Sequence, residues 1–140
     1  MNDIVHGLGV AAAYGAVGLV LLLLGVGLVD VLTPGKLGRQ IWLERNRNAA
    51  VVLSSALLGI GGIVFTAIMY TYDEFGKGLA ATALFGLLGL VLMAAAFWLV
   101  DLLTPGKLGA VLVDPEPHPA VWVTAACNLS VAAIVAASIA

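Results

Sequence analysis

Two aspartates interrupt the long apolar runs of this chain, Asp30 and Asp101. Each is followed two residues later by the same heptapeptide, Leu-Thr-Pro-Gly-Lys-Leu-Gly, at Leu32–Gly38 and Leu103–Gly109. A carboxylate placed six residues before a lysine (Asp30 before Lys36, Asp101 before Lys107) can do two kinds of work. It can fix a turn, by pairing with the ammonium or by accepting from nearby backbone amides. Alternatively, two such carboxylates can line a vestibule and bind a cation or relay a proton, since charged groups in membrane spans are costly and often functional. At about 1.5 Å rise per residue each aspartate lies only about one turn inside the end of its run. That shallow position, and attachment to a complete turn motif, favour the structural role.

The remaining reactive inventory is small. Cys127 is alone, so it forms no intramolecular disulfide and reads as a small helix-packing residue. His6 and His118 fall on opposite sides of the expected layout, and no His/Cys cluster, P-loop, nucleophile elbow or HExxH motif is present. Haem ligation needs a histidine inside a span, and none is there. No metal or cofactor is expected, and an enzyme acting alone is not. Nucleic acid is not an expected partner.

The elements that must position these groups come from a tandem duplication. The two motifs are 71 residues apart, close to half of the 140-residue chain, and Gly15–Gly38 matches Gly86–Gly109 at 15 of 24 positions. Apolar residues make up 62% and charged residues 10%, with a mean hydropathy of +1.12. Soluble domains average about 45–50% apolar and about 25% charged. A span requires about 20 mainly apolar residues, and four runs qualify: Leu8–Leu32, Ala49–Tyr70, Leu79–Leu103 and Pro119–Ala140. The expectation is an all-α integral membrane protein, one membrane domain over 1–140, with four transmembrane helices from two parallel tandem hairpin repeats at about 8–70 and 79–140. The first run has no basic region before it and reads as a retained span. A β-barrel would need short alternating segments, which are absent.

Five of the six basic residues, Lys36, Arg39, Arg45, Arg47 and Lys107, lie in the first and third connectors. The positive-inside rule puts those connectors in the cytoplasm, with both termini and the Asp73-Glu74 turn outside. An even number of spans per repeat predicts hairpins related by a pseudo-twofold axis along the membrane normal. The first and third spans stay similar, whereas Ala49–Ile68 and Ala120–Ile139 share 6 of 20 positions. The first and third spans are therefore expected to hold equivalent central places, with the other two specialised.

Within the motif, proline disfavours helix in the preceding residue and lacks an N–H, so the helices should end near Thr33 and Thr104, at Pro34 and Pro105. Gly35 and Gly106 permit the positive φ of a tight turn. Lys36 and Lys107 reach lipid phosphates. Gly15 and Gly18, Gly86 and Gly89, and Gly59, Gly61 and Gly62 read as close helix packing, within the bundle or between subunits. The hydroxyls of Ser54, Ser55, Thr66, Thr82 and Thr124 can bond their own helix. Asn128, the lone amide inside a run, should face protein across a helix interface. The first connector, Arg39–Asn48, reads as a short interfacial helix with Trp42 as anchor and Arg39, Arg45 and Arg47 on anionic headgroups, or as a partner-docking surface. Its counterpart, Val113–Pro119, reads as a stiff extended segment because its prolines alternate.

A duplicated two-span unit ending each time in Asp-x-Leu-Thr-Pro-Gly-Lys-Leu-Gly resembles the small bacterial inner-membrane family catalogued as domain of unknown function three-fifty. The resemblance covers essentially the whole chain. It rests on Asp30–Gly38 and Asp101–Gly109, with Asn48-Ala49-Ala50 as a weaker match. Pro119-Ala120-Val121 departs from that pattern, so Asn48 has no counterpart in the second repeat. The resemblance implies the topology and assigns no catalytic residue. The alanine-, glycine- and valine-rich composition suggests a high-GC bacterium.

Two function classes remain. One is an accessory or structural subunit of a membrane assembly, homo- or hetero-oligomeric, in contact with the lipid bilayer. The other is a small channel or transporter formed by oligomerisation, with Asp30 and Asp101 lining a cytoplasmic vestibule. Few ionisable groups and abundant small residues favour the first.

Overall fold

The structure, a computed structural model, describes residues 2–33, 35, 37–71, 75–104 and 106–139. Pro34, Lys36 and Pro105 of the turn motif, and the Asp73-Glu74 turn, lie outside the described residues. The described elements are α1 (Asn2–Leu32), α2 (Leu37–Trp42), α3 (Arg47–Thr71), α4 (Phe75–Leu103), α5 (Leu108–Val113) and α6 (Pro119–Ile139), with no strand among them. The four long helices are each long and apolar enough to cross a membrane. The chain is an all-helical, multi-span membrane protein. Two helices run past the apolar runs at their starts, α1 beginning at Asn2 and not Leu8, α4 at Phe75 and not Leu79. Backbone hydrogen bonding continues a helix into the headgroup region, beyond where hydropathy marks its edge.

Helix ends follow local chemistry. The Thr33 and Thr104 amides close the last turns of α1 and α4, reaching Val29 O and Val100 O at 3.0 Å in both cases. Gly35 and Gly106 then take φ of 84° and 87°, a left-handed conformation that favours glycine. The α3 N-terminus is capped by Asn46, whose Oδ1 accepts from the Ala49 amide at 3.2 Å. Pro119 opens α6 at the position where its missing N–H costs nothing. His118 Nδ1 accepts from the Ala120 amide at 3.0 Å.

The four long helices are apolar on every face, so lipid solvates any face equally well and association rests on packing. α3 lies at the centre, packed on α1, α4 and α6, and α4 packs likewise on α1, α3 and α6. In the most apolar stretch of α3, 44% of residues are buried, against 22% in α1. The expected equivalence of the first and third spans is therefore corrected: α4 is internal and α1 peripheral. α3 and α4 form the short diagonal of a rhombus with α1 and α6 at its far corners. An exact twofold would pack α1 on α6 as it packs α4 on α3, and α1 and α6 do not pair in that way. Local structure repeats faithfully nonetheless. The ends of α1 and α4, and both ends of α2 and α5, are 71 residues apart.

The glycines divide in the same way. A Cβ on Gly59 would lie 2.7 Å from Met93 Cε and 3.0 Å from Ala132 Cβ. One on Gly86 would overlap the Leu21 side chain, and one on Gly89 would meet Ile63 Cδ1. Gly18 is buried, with Val64 3.5 Å from where its Cβ would stand. Gly15, Gly61 and Gly62 are exposed and have nothing within 4 Å of that position, so close packing inside this bundle is corrected for these three. Gly25 and Gly78, which the sequence did not single out, sit at close approaches to Ile60 and to the Tyr14 hydroxyl. Tyr14 also meets Phe75 edge to face, with centroids 6.0 Å apart.

Candidate functional site

Both connectors that carry the basic residues lie at one end of the bundle, here called the basic end. The aspartate of the second repeat has a definite local task there. Asp101, half-buried in the last turn of α4, accepts from the Leu108 amide through Oδ1 at 2.7 Å. The bond spans the Thr-Pro-Gly-Lys turn and satisfies a free N–H at the start of α5. Leu108 is fully buried, so its amide has little access to other partners. Asp30 occupies the equivalent half-buried place at the end of α1.

This geometry gives a direct test. Asp101→Asn keeps an acceptor oxygen and is expected to preserve stability, whereas Asp101→Ala strands the Leu108 amide at a cost of about 1–3 kcal/mol. Thermal unfolding in detergent reads the difference. Equal damage from asparagine and alanine would mean that the charge itself matters and that turn closure is not its chief role.

Thr104 bonds back to Val100 O through Oγ1 at 2.7 Å, and Lys107 is exposed beside the turn. The first connector differs from the expected helix over Arg39–Asn48. α2 starts earlier, at Leu37, and stops at Trp42. The Leu43 and Glu44 amides close it onto Arg39 O, Arg45 turns left-handed at φ 54°, and the Asn46 amide returns to Gln40 O at 2.8 Å. The expected interfacial helix is therefore shorter and shifted, and a turn over residues 43–46 separates it from α3. Arg39, Arg45 and Arg47 are all exposed, as is Trp42 at 71%.

α5 was not anticipated. Residues 108–113 lack charge or periodicity that would separate them from a loop, and Asp101 supplies the N-terminal acceptor from outside the segment. Asp114 is extended at φ −66° and ψ 130°, but Val113 ends α5, the chain bends at Pro115 and Glu116, and Asp114 Oδ1 accepts from the Glu116 amide at 3.0 Å, so the expected stiff extended segment over Val113–Pro119 is corrected to a turn.

The most densely bonded side chain at this end is one to which sequence reasoning gave no role. Asn48, 3% exposed in the first turn of α3, donates through Nδ2 towards Val111 O at 3.1 Å, Asp114 O at 3.1 Å and Glu116 O at 2.8 Å. Its Oδ1 accepts from the His118 amide at 3.2 Å. Two N–H groups thus serve three carbonyls, and the fourth contact fixes which way the amide points. One buried side chain of repeat one holds the Val111–His118 part of the third connector, in repeat two. Pro119 stands at the equivalent position of repeat two and has no such side chain. Two signals were available: the Asn48-Ala49-Ala50 match to the family pattern, and the Asn-x-Asn ahead of the second apolar run, which points to a cap; Asn46 is that cap.

Inside the bundle Asn128, 5% exposed, joins α6 to α3. Its Nδ2 donates to Ser55 Oγ at 3.0 Å and more weakly towards Val52 O at 3.5 Å, while Ser55 donates to Val52 O at 2.7 Å. Thr66, Thr82 and Thr124 bond carbonyls four residues back in their own helices. Every buried polar side chain among the described residues is uncharged, and no group of metal-ligating residues occurs among them. Asp101 and Asn48 therefore organise the basic end, Asn128 organises the interior, and these groups are not gathered into one reactive centre.

Comparison with known proteins finds transmembrane relatives. The family model described as Domain of Unknown Function (DUF350) matches residues 3–139. A UPF0719 transmembrane protein of Mycolicibacterium paratuberculosis (strain ATCC BAA-968 / K-10) is 34% identical over 139 residues, covering 99% of this chain and 92% of the relative. UPF0719 transmembrane protein Mb2631 of Mycobacterium bovis (strain ATCC BAA-935 / AF2122/97) and MT2674.1 of Mycobacterium tuberculosis (strain CDC 1551 / Oshkosh) are each 30% identical, covering 99% of this chain and 91% of the relative. No solved structure matches.

Proposed function

The chain belongs to the DUF350 family, and from that premise we propose that it is an accessory or structural subunit of an assembly in a bacterial inner membrane, not an enzyme and not a conduit. One observation carries this reading: the buried polar side chains among the described residues are uncharged, and Asn46, Asn48, Ser55, Thr82, Thr124 and Asn128 among them serve helix and turn contacts. A translocation path needs polar or charged groups facing a wet cavity. Here the aspartate of the second repeat is engaged by a backbone amide and the central asparagine by a serine. What remains for function is the outer surface: apolar helix faces in lipid and the connectors at the basic end. In this reading Arg39, Arg45, Arg47 and Lys107 lie on anionic headgroups, with Trp42 as an interfacial anchor.

Flux measurement tests the reading. Protein reconstituted into liposomes holding a proton or potassium gradient is expected to dissipate it no faster than empty liposomes. A protein-dependent flux abolished by Asp30→Asn or Asp101→Asn would replace the subunit reading with a channel.

The orientation has its own expected result. In a Cys127→Ala background, Asn2→Cys should react with an impermeant maleimide on intact spheroplasts, and Lys107→Cys only after permeabilisation. The reverse pattern would invert the assignment of the basic end to the cytoplasm.

A further inference from the structure

The duplication presents one interface twice and the fold uses it once. α4 buries Thr82, Gly86, Leu90, Met93 and Phe97. α1 and α3 cover this face, with Leu21 over Gly86, Ile63 over Gly89 and Gly59 against Met93. Moved back by the 71-residue repeat, the same face of α1 is Ala11, Gly15, Leu19, Leu22 and Val26, edged by Gly18 and Val29, the equivalents of Gly89 and Val100, which are already buried within the bundle. None of those five is buried; Leu19 is 63% exposed and Gly15 has open space where a side chain would stand. Leu19, Leu22 and Val26 line a lateral groove between α1 and α3 about 880 Å³ in volume, and Ala11 and Gly15 line a second of about 500 Å³ that shares Leu19 and Leu22 with it.

The covering side is duplicated too. The repeat-two equivalents of Leu21, Gly59 and Ile63 are Leu92, Ser130 and Ile134. Leu21 and Ile63 are 2% and 0% exposed, whereas Leu92 and Ile134 are 36% and 64% exposed, and Ser130 is exposed as well. Gly15, Leu19 and Ile134 are identical to Gly86, Leu90 and Ile63. Apart from Gly18 and Val29 at its edge, the face is thus unused, and so is its cover. They cannot meet within one chain, because α1 and α6 occupy opposite corners of the rhombus.

We propose that a second copy of this chain fills the groove: its α4–α6 face, through Leu92, Ser130 and Ile134, seats on the Ala11–Val26 face of α1. Two copies inserted the same way up bring α6 of one antiparallel to α1 of the other, the relation that α3 and α4 have across the short connector. The contact is head to tail, so it propagates to a ring or a row instead of closing as an isologous pair. Glycine in the groove floor lets the incoming helix approach closely, as close packing in lipid requires. This rests on the subunit reading above and names the partner.

Disulfide trapping in native membranes decides it. In full-length protein carrying Cys127→Ala, the pair Leu22→Cys with Ser130→Cys repeats the Met93–Gly59 contact between copies. Mild oxidation is expected to give a dimer and a ladder of higher species with the pair, and neither with either single substitution. Adding Gly15→Leu, which enters open space in a single chain, should reduce the ladder about tenfold while leaving the melting temperature of the reduced protein unchanged. Monomer alone, a ladder insensitive to Gly15→Leu, or equal crosslinking by a single substitution would each overturn the proposal. Loss of the ladder with liposome flux still at background ends self-assembly and leaves the subunit reading standing with a different partner. A flux, by contrast, ends that reading whatever the ladder does.

Discussion

Replacing Asn48 by alanine is expected to destabilise the protein by about 1–3 kcal/mol, because four hydrogen bonds to one buried side chain are lost together, with water able to reach only the exposed partners, Asp114, Glu116 and His118. Val111, Asp114 and Glu116 lose a donor and His118 loses an acceptor in one step. The consequence should be local before it is global. Leu108 and Leu112 anchor α5 in the core, whereas Asp114–His118 is bonded to α3 through this side chain, so that segment should open to protease or hydrogen exchange while the long helices stay formed. Asn48→Asp is expected to be worse than alanine. It keeps the acceptor for His118 but places a carboxylate oxygen against three carbonyl oxygens, replacing attraction by repulsion in a site 3% exposed. Melting in detergent, beside limited proteolysis around Asp114–His118, reads both effects. If Asn48→Ala melts with the native protein and the connector stays protected, the side chain is not a clamp.

Gly59→Leu is expected to be the most damaging single change in the interior. Any side chain there meets Ala132 Cβ at 3.0 Å and the Asn128 carbonyl oxygen at 3.3 Å, in addition to Met93 Cε at 2.7 Å. The methionine can move. The alanine and the backbone oxygen cannot, so α3 and α6 must separate, and with them the Asn128–Ser55 bond about one turn away. Overpacking of this kind costs about 1–3 kcal/mol and sometimes more. Gly27→Ala serves as the control, since nothing lies within 4 Å of the added carbon. The comparison is the midpoint of thermal unfolding in the same detergent. A Gly59→Leu protein as stable as Gly27→Ala would show that the α3–α6 contact is looser than these distances require.

The sequence by itself determined the features governed by neighbours a few residues away. Proline without an N–H and glycine with access to positive φ end the helix and turn the chain wherever Leu-Thr-Pro-Gly-Lys-Leu-Gly occurs. The two copies give Gly35 and Gly106 φ values only 3° apart, 84° and 87°. Apolar length fixed the four spans for the same reason: about 20 residues must satisfy their own backbone in hydrocarbon, and a helix does so without outside help. The tertiary structure decided which face of each helix turns inward. Every face is apolar and lipid is an equally good solvent for it, so hydropathy carries no contrast from which a packed face can be read. Gly86 and Gly15 sit in matching sequence, yet one is closed by Leu21 and the other is open, because α3 and α4 took the short diagonal and left α1 at a corner. Asn48 was hidden for a related reason. Its partners lie 63 to 70 residues away, and their convergence on one amide is set by how α5 and the turn that follows it fold back on α3.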